Sequence, residues 1–181
     1  MVAGLCAALG LMFIAGGLAG CGFQPLYAKP DESASIGPVN DLASVYVMPL
    51  RDRTGQIFHN YLRDRLNPRG LPGDPAYVLR IRLTETTEQL AIRSDETATR
   101  ANLRLRASFS LSRRDNDQQL FEGVTNAITS YNILSSQFAT YTSEQDARNR
   151  GLRELSERVR LQLATFFNRA RSGASAAGGT Q

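Results

Sequence analysis

The sequence predicts an α+β fold, a two-layer sandwich in which a mostly antiparallel four-stranded sheet carries two helices packed on one face. Three segments alternate apolar and polar residues with period two, as half-buried strands do. Two other segments repeat apolar residues every three or four positions, as amphipathic helices do. The resulting order of strand, helix, three strands and helix favours two layers around one core.

The first strand and the first helix begin soon after residue 44. Residues 45–48 form a short β-branched and aromatic run that ends at Pro49, which is typical of a strand. Residues 54–66 predict a helix because apolar residues recur there at four-residue steps: Phe58, Leu62 and Leu66.

Three long strands follow over residues 77–92, 97–111 and 120–131, with polar turns at 93–96 and 113–117. Short connections between long strands predict antiparallel pairing. In the first two strands the large aliphatic residues share one phase and the arginines share the other. In the third strand we expect Leu120, Val124 and Ile128 to face the core, with Gly123 at a bulge.

The last helix is predicted to be the longest. Residues 142–145, Thr-Ser-Glu-Gln, match a capping box, and we expect the helix to end near Asn168. Its core face is a run of apolar residues at three- and four-residue steps: Ala147, Leu152, Leu155, Val159, Leu163 and Phe166. The Ser-, Gly- and Ala-rich residues that follow predict a disordered tail.

The N-terminal residues predict a lipoprotein signal. Residues 1–20 carry no charged side chain and form an apolar, glycine-rich run that ends in small residues before Cys21. We expect cleavage there and acylation of the Cys21 thiol, with a retained transmembrane helix or a plain core segment as alternatives. The lack of Lys or Arg near the start leaves open a translation start upstream of Met1.

The predicted organisation is therefore a removed signal peptide at 1–20 and a lipidated cysteine with an extended tether at 21–43. A single α+β domain follows at 44–170, and a disordered tail at 171–181.

The residue inventory argues against catalysis. His59 is the only histidine, and Cys6 would leave with the signal, so the mature chain lacks the several His or Cys ligands of a typical metal site. No phosphate-binding glycine loop or dinucleotide fingerprint is present. The adjacent carboxylates Asp95 and Glu96 are most simply interpreted as a solvated turn. We expect no enzymatic activity, no metal and no cofactor.

The net charge is +4, and nearly all of the positive charge is arginine. Five arginines fall on the polar phase of the strands and should share the sheet face opposite the helices: Arg80, Arg82, Arg100, Arg104 and Arg106. Guanidinium groups bind phosphate in a bidentate fork, so this face suits an anionic ligand. The alternative is a solvated face balanced by acidic neighbours. For an exported protein we expect anionic lipid or saccharide phosphate, and no nucleic acid.

The run Cys21-Gly22-Phe23-Gln24-Pro25-Leu26-Tyr27, followed by strand, helix, long hairpin and last helix, resembles the LptE family of lipopolysaccharide-assembly lipoproteins, in particular its alphaproteobacterial branch. The resemblance covers residues 21–169. It implies an outer-membrane lipoprotein that faces the periplasm, plugs the lumen of the LptD β-barrel and binds lipopolysaccharide for insertion into the outer leaflet. Gly22 after Cys21 agrees with that destination.

The resemblance also implies ligand residues. The family's lipopolysaccharide-binding arginine, after the first long strand, corresponds to Arg93. A second basic residue of enterobacterial relatives, just before the last helix, corresponds to Tyr141, where the charge is lost unless Arg148 or Arg150 reaches the same place. The alternative function is a structural or chaperone-like envelope lipoprotein that binds another barrel or a cell-wall partner.

Overall fold

A computed structural model of the 181-residue chain describes residues 38–92 and 98–177. The predicted signal, Cys21, the tether up to residue 37, and residues 178–181 lie outside the described residues. So does the turn at 93–97, which includes Arg93, Asp95 and Glu96.

The described elements are, in chain order, helix α1 at Pro38–Ala43, strand β1 at Val45–Val47, helix α2 at Arg53–Leu66, strands β2 at Tyr77–Ile92, β3 at Ala98–Arg113 and β4 at Gln119–Asn132, and helix α3 at Gln137–Ala177. The strands form one sheet in the order β1-β2-β3-β4. The predicted α+β class and the antiparallel pairing of β2, β3 and β4 are confirmed.

The sheet is mixed, because β1 pairs with β2 in parallel. The chain leaves β1, forms α2 and returns as β2, and a strand–helix–strand connection of this kind joins parallel neighbours. Among the described residues there is also one helix more than predicted. Residues 38–43, assigned above to the extended tether, form α1, whose Leu42 is buried and whose Asp41 forms an ion pair with Arg171 of α3.

Helix α2 forms where the apolar spacing predicted it. The side chain of Asp52 caps its first turn by accepting a hydrogen bond from the Gly55 amide at 2.6 Å. Phe58, Leu62 and Leu66 are buried against the sheet and α3, as the spacing predicted.

In strand β4 the residues that face the core are the alternate set to the one expected. Ala127 and Tyr131 are buried on the helix side, whereas Val124 and Ile128 lie on the other face with 43% and 49% of their surface exposed. The helix-side phase is weakly apolar in sequence because it includes Thr125. The prediction that Val124 and Ile128 face the core is therefore wrong.

The irregularity in β4 lies at Leu120 and not at Gly123. Leu111 of β3 pairs with Phe121, but the next residue, Ser112, pairs with Gln119 and so skips Leu120. Gly123 has another role, since a Cβ on it would lie 2.6 Å from Cζ of Phe109. The glycine leaves room for that ring on the helix side of the sheet.

Helix α3 begins earlier and ends later than predicted. It starts at Gln137, where the Ala139 amide donates to Oγ of Ser136 at 3.4 Å. The Thr142 hydroxyl bonds back to the Phe138 carbonyl at 3.0 Å, so Thr142 is an interior residue and the capping box is not used. The helix continues past Asn168 to Ala177.

The core fills the space between the helices and one face of the sheet. Its fully buried members are mostly leucine and valine, and include Val45, Leu79, Leu103, Leu105, Leu111, Leu152, Leu155, Val159 and Leu163. Phe167 is the buried aromatic of α3, whereas Phe166, predicted to be in the core, is half-buried and stacks on Phe121 at 5.1 Å between ring centres.

The outer strand β4 is also held by side chains of α3. Gln162 donates to the Val124 carbonyl at 3.3 Å, and Arg150 donates to the Ser130 carbonyl at 3.4 Å. Gly151 brings the helix close to the sheet, because a Cβ there would lie 2.7 Å from Cδ1 of Leu105. The opposite face of the sheet has no helix on it among the described residues.

Candidate ligand-binding face

The face of the sheet that the helices leave uncovered presents the polar phase of β2 and β3. In the antiparallel register Arg80 lies opposite Ser110, Arg82 opposite Ser108, and Arg106 opposite Thr84. Arg104 and Arg100 follow on the same phase of β3, while the intervening residues are buried in the core. We call this surface the arginine face. All five predicted strand arginines lie on it, but Arg80 and Arg100 are at opposite ends of the hairpin, about 33 Å apart along the strands.

Two of these arginines are neutralised within the protein. Arg80 donates to Oγ of Ser112 and to the carboxylate of Asp117, each at 2.9 Å. Arg104 forms a looser ion pair with Glu88 at 3.5 Å. These contacts give partial support to the alternative of a balanced, solvated face.

The other three arginines, Arg82, Arg100 and Arg106, have neither an ion pair nor a hydrogen-bond partner for their side chains within residues 38–92 and 98–177. Arg82 and Arg106 are diagonal neighbours across β2 and β3, a relation that places side chains about 7–8 Å apart. Arg104 lies two residues from Arg106, about 7 Å along the strand. The guanidinium groups of Arg82 and Arg106 can therefore contact neighbouring anionic groups of one ligand, with the ion-paired Arg104 beside them.

Apolar side chains share this face. Ile128 pairs directly with Arg104, and Val124 pairs with Ser108. The sequence analysis missed them as surface residues because it assigned them to the core. The aromatic residues Phe121 and Tyr131 on the other phase of β4 were the signal that could have corrected the assignment.

Arg148 does not join the arginine face. It extends from α3 to the helix side of the sheet, where its guanidinium contacts the Glu85 carboxylate at 2.6–3.1 Å and Glu144 at 2.5 Å. These hydrogen bonds, led by those to Glu85, raise the pKa of Arg148 above its ordinary value. Burial and the nearby Glu144 raise the pKa of the Tyr131 phenol. Because Arg148 is already occupied, we leave it out of the candidate site.

The predicted second basic position is an exposed aromatic. Tyr141 is 59% exposed, with Phe138 (79%) and Leu134 (50%) also exposed around the start of α3. Arg150 is engaged with the Ser130 carbonyl. The start of α3 is thus an apolar surface.

The described residues include no group of His, Cys, Asp and Glu side chains placed to hold a metal ion. His59 is half-buried, with Nε2 3.2 Å from the Val47 carbonyl. Among the helices of residues 38–92 and 98–177, none combines the length and apolar character needed to cross a bilayer.

Residues 42–163, more than half of the chain, match the profile of the LptE family, described as lipopolysaccharide-assembly. No curated protein matches the chain.

Solved structures share the fold. A lipoprotein from Caulobacter crescentus CB15, known from a crystal structure, is 20% identical to this chain in sequence. Its TM-score is 0.61, and the match covers 72% of this chain and 96% of that one. A minor lipoprotein from Acinetobacter baumannii is 20% identical, with a TM-score of 0.53 over 67% and 88%. A lipoprotein B from Nitrosomonas europaea is 12% identical, with a TM-score of 0.52 over 68% and 83%.

Proposed function

The chain belongs to the LptE family of lipopolysaccharide-assembly proteins, and from this membership we propose that it is a non-enzymatic outer-membrane lipoprotein that assembles with the LptD β-barrel and binds lipopolysaccharide. Acylation of Cys21 would anchor it to the membrane, with the domain facing the periplasm and entering the barrel lumen. The lipoproteins among the solved structures of similar fold are consistent with an anchored protein of the cell envelope.

The observation that carries the ligand proposal is the set of unneutralised arginines on an uncovered sheet face. Arg82 and Arg106 are close together, and neither forms an ion pair with a carboxylate of the described residues, although Glu122 of β4 lies on the same face. A phosphorylated glycolipid supplies anionic oxygens that a guanidinium can bind in bidentate fashion. The arginine face therefore fits the lipid A or core phosphates of lipopolysaccharide.

A charge-reversal experiment tests this proposal. Arg82→Glu/Arg106→Glu should weaken lipopolysaccharide binding by at least about tenfold at low salt, and the difference should shrink at high salt because exposed charges are screened. Arg51→Glu/Arg69→Glu is the matched control, since it makes the same charge change at exposed positions outside the arginine face. Equal weakening by both double variants would reduce the effect to net charge and refute a site on this face.

Arg93 is tested separately. The family resemblance assigns it to the ligand, so Arg93→Glu should weaken lipopolysaccharide binding in a salt-dependent way. Unchanged affinity at low salt would remove Arg93 from the site. Pull-down of tagged protein from detergent-solubilised membranes tests the partner, and absence of LptD from the recovered complex would overturn that part of the proposal.

The exposed apolar residues at the start of α3 favour a second candidate. Phe138, Tyr141 and Leu134 form a surface suited to a protein partner, as in a structural or chaperone-like envelope lipoprotein that binds another barrel or a cell-wall partner. Depletion separates the two functions. Loss of surface lipopolysaccharide with accumulation inside the cell supports the first, and general defects in barrel assembly support the second.

A further inference from the structure

The arginine face continues into an apolar groove at the β1 edge of the sheet. The groove lies between β1, the start of β2 and the loop that precedes β2, and has a volume of about 470 Å³. We call it the β1 groove; its apolar walls are Tyr46, Met48, Leu71, Pro72, Pro75 and Val78, with Arg80 and Arg114 at its rim. Leu71 is 61% exposed and Met48 is 40% exposed, so apolar surface here is open to a ligand.

We propose that the β1 groove binds an acyl chain of the same amphiphile whose phosphates lie on Arg82 and Arg106. This inference rests on the proposed lipopolysaccharide-binding function and extends it to the hydrophobic part of the ligand. An anionic head group bound beside an apolar groove is what a phosphorylated lipid requires, because each part of the molecule then meets surface of matching character.

The strand geometry connects the two parts of the site. Val78, Arg80 and Arg82 are successive residues of one phase of β2, so Val78 in the groove and Arg82 are separated by four residues, about 14 Å along the strand. Arg80 lies between them and is already bound to Asp117 and Ser112. The negative charge of a ligand is therefore bound by Arg82 and Arg106, and the Arg80 side chain lies between them and the groove.

The β1 groove suits an acyl chain better than the other apolar residues of this face do. Val124 and Ile128 lie on the open surface of β4, with Asn126 on the same phase between them. The groove instead has apolar walls on two sides, one from β1 and β2 and one from the loop around Leu71 and Pro72. A concave site removes more of a hydrocarbon chain from water than a flat one, and burial of apolar surface drives such binding.

Comparison of two ligands tests the inference. The probes are fluorescently labelled rough-type lipopolysaccharide and the same material after alkaline removal of its acyl chains, each titrated against the full chain in amphipol. Leu71→Asp and Val78→Asp should each weaken binding of the acylated form by about tenfold, because a charge then lies in the apolar wall. Binding of the deacylated form should change by less than about twofold, since its phosphates still meet the arginines.

Leu161→Asp is the matched control, because it places the same charge on an exposed leucine of α3, outside the groove and off the arginine face. Ile128→Asp is a separate variant that tests β4 as the site of the acyl chain. Arg82→Glu/Arg106→Glu should weaken both ligands. Leu71 is exposed in a loop, so Leu71→Asp remains folded even if Val78→Asp does not, and circular dichroism checks both.

Each other outcome overturns the inference in a recognisable way. Groove variants that bind acylated lipopolysaccharide like the wild type, or that weaken both ligands equally, exclude the groove while leaving the arginine face intact. Selective loss with Ile128→Asp assigns the acyl chain to β4 instead. If the wild-type chain binds neither ligand, the proposed function fails and this inference fails with it.

Discussion

Replacement of Arg148 by methionine should destabilise the fold far more than the same change at Arg104. Methionine keeps much of the apolar stem and removes the charge. The Arg148 side chain is 12% exposed, and its partners Glu85 and Glu144 are 26% and 29% exposed. Arg104 and Glu88 are 44% and 48% exposed. The two sites therefore compare a largely buried cation with a solvated one.

The burial of each ion pair determines how much free energy of unfolding its removal should cost. Exposed ion pairs contribute at most about 1 kcal/mol, whereas removal of one partner from a fully buried pair costs about 3–5 kcal/mol because a charge is left uncompensated. Arg148 lies between these limits with two carboxylates to leave unpaired, so Arg148→Met should lower the free energy of unfolding by about 2–3 kcal/mol. Arg104→Met should lower it by less than about 0.5 kcal/mol.

Urea unfolding followed by circular dichroism at pH 7 measures both values. A double-mutant cycle with Glu85→Gln isolates the interaction energy between Arg148 and Glu85, and we expect a coupling energy of about 1.5 kcal/mol. A destabilisation by Arg148→Met no larger than that by Arg104→Met would refute the reasoning from burial. So would a coupling energy below about 0.5 kcal/mol.

Three further predictions test other parts of the fold. Ile128→Asn should lower the free energy of unfolding by about 1 kcal/mol, because half of that side chain is already in water. Ala127→Asn should lower it by at least about 3 kcal/mol, because it forces a larger amide into the core. Equal losses in urea unfolding would contradict the observed phase of β4. A hydrogen bond from Arg160 lowers the pKa of Glu157. Glu157→Gln should therefore be less stable than the wild type above the ordinary carboxyl pKa, and this loss of stability should vanish as the pH falls through the lowered pKa. A loss that persists in acid would exclude a link between the Glu157 charge and stability. Asp52→Ala should cost about 1 kcal/mol because it removes the cap of α2, and an unchanged urea midpoint would show that the cap is dispensable.

Sequence patterns predicted the elements well where apolar and polar phases differ sharply. In β3, Leu103 and Leu105 alternate with Arg104 and Arg106, and the buried phase is the one expected. In β4 both phases contain apolar residues. The choice between them depends on α3, which packs so closely that the helix-side phase holds Gly123 and Ala127. That constraint comes from tertiary packing, which local hydrophobicity does not contain.

The start of α3 was mispredicted for a different reason. Thr142 and Gln145 have the spacing of a capping box, but the helix had already begun with Ser136 before it. Once a helix has formed, a threonine hydroxyl can bond back to a carbonyl of the preceding turn, as Thr142 does. The parallel pairing of β1 was by contrast accessible from sequence, because a strand–helix–strand order favours it.

The contacts of α3 with the outer strand have a consequence for the protein in a crowded envelope. Strand β4 is 14 residues long, and no other strand of residues 38–92 and 98–177 pairs with its outer side. Unpaired backbone groups on such an edge are a template for pairing with another chain, and so for aggregation. Because Gln162 and Arg150 already donate to carbonyls of β4, an incoming strand must first displace the helix side chains. The long helix thus covers part of this edge with its side chains, while Leu152, Leu155 and Val159 on another of its faces pack in the core.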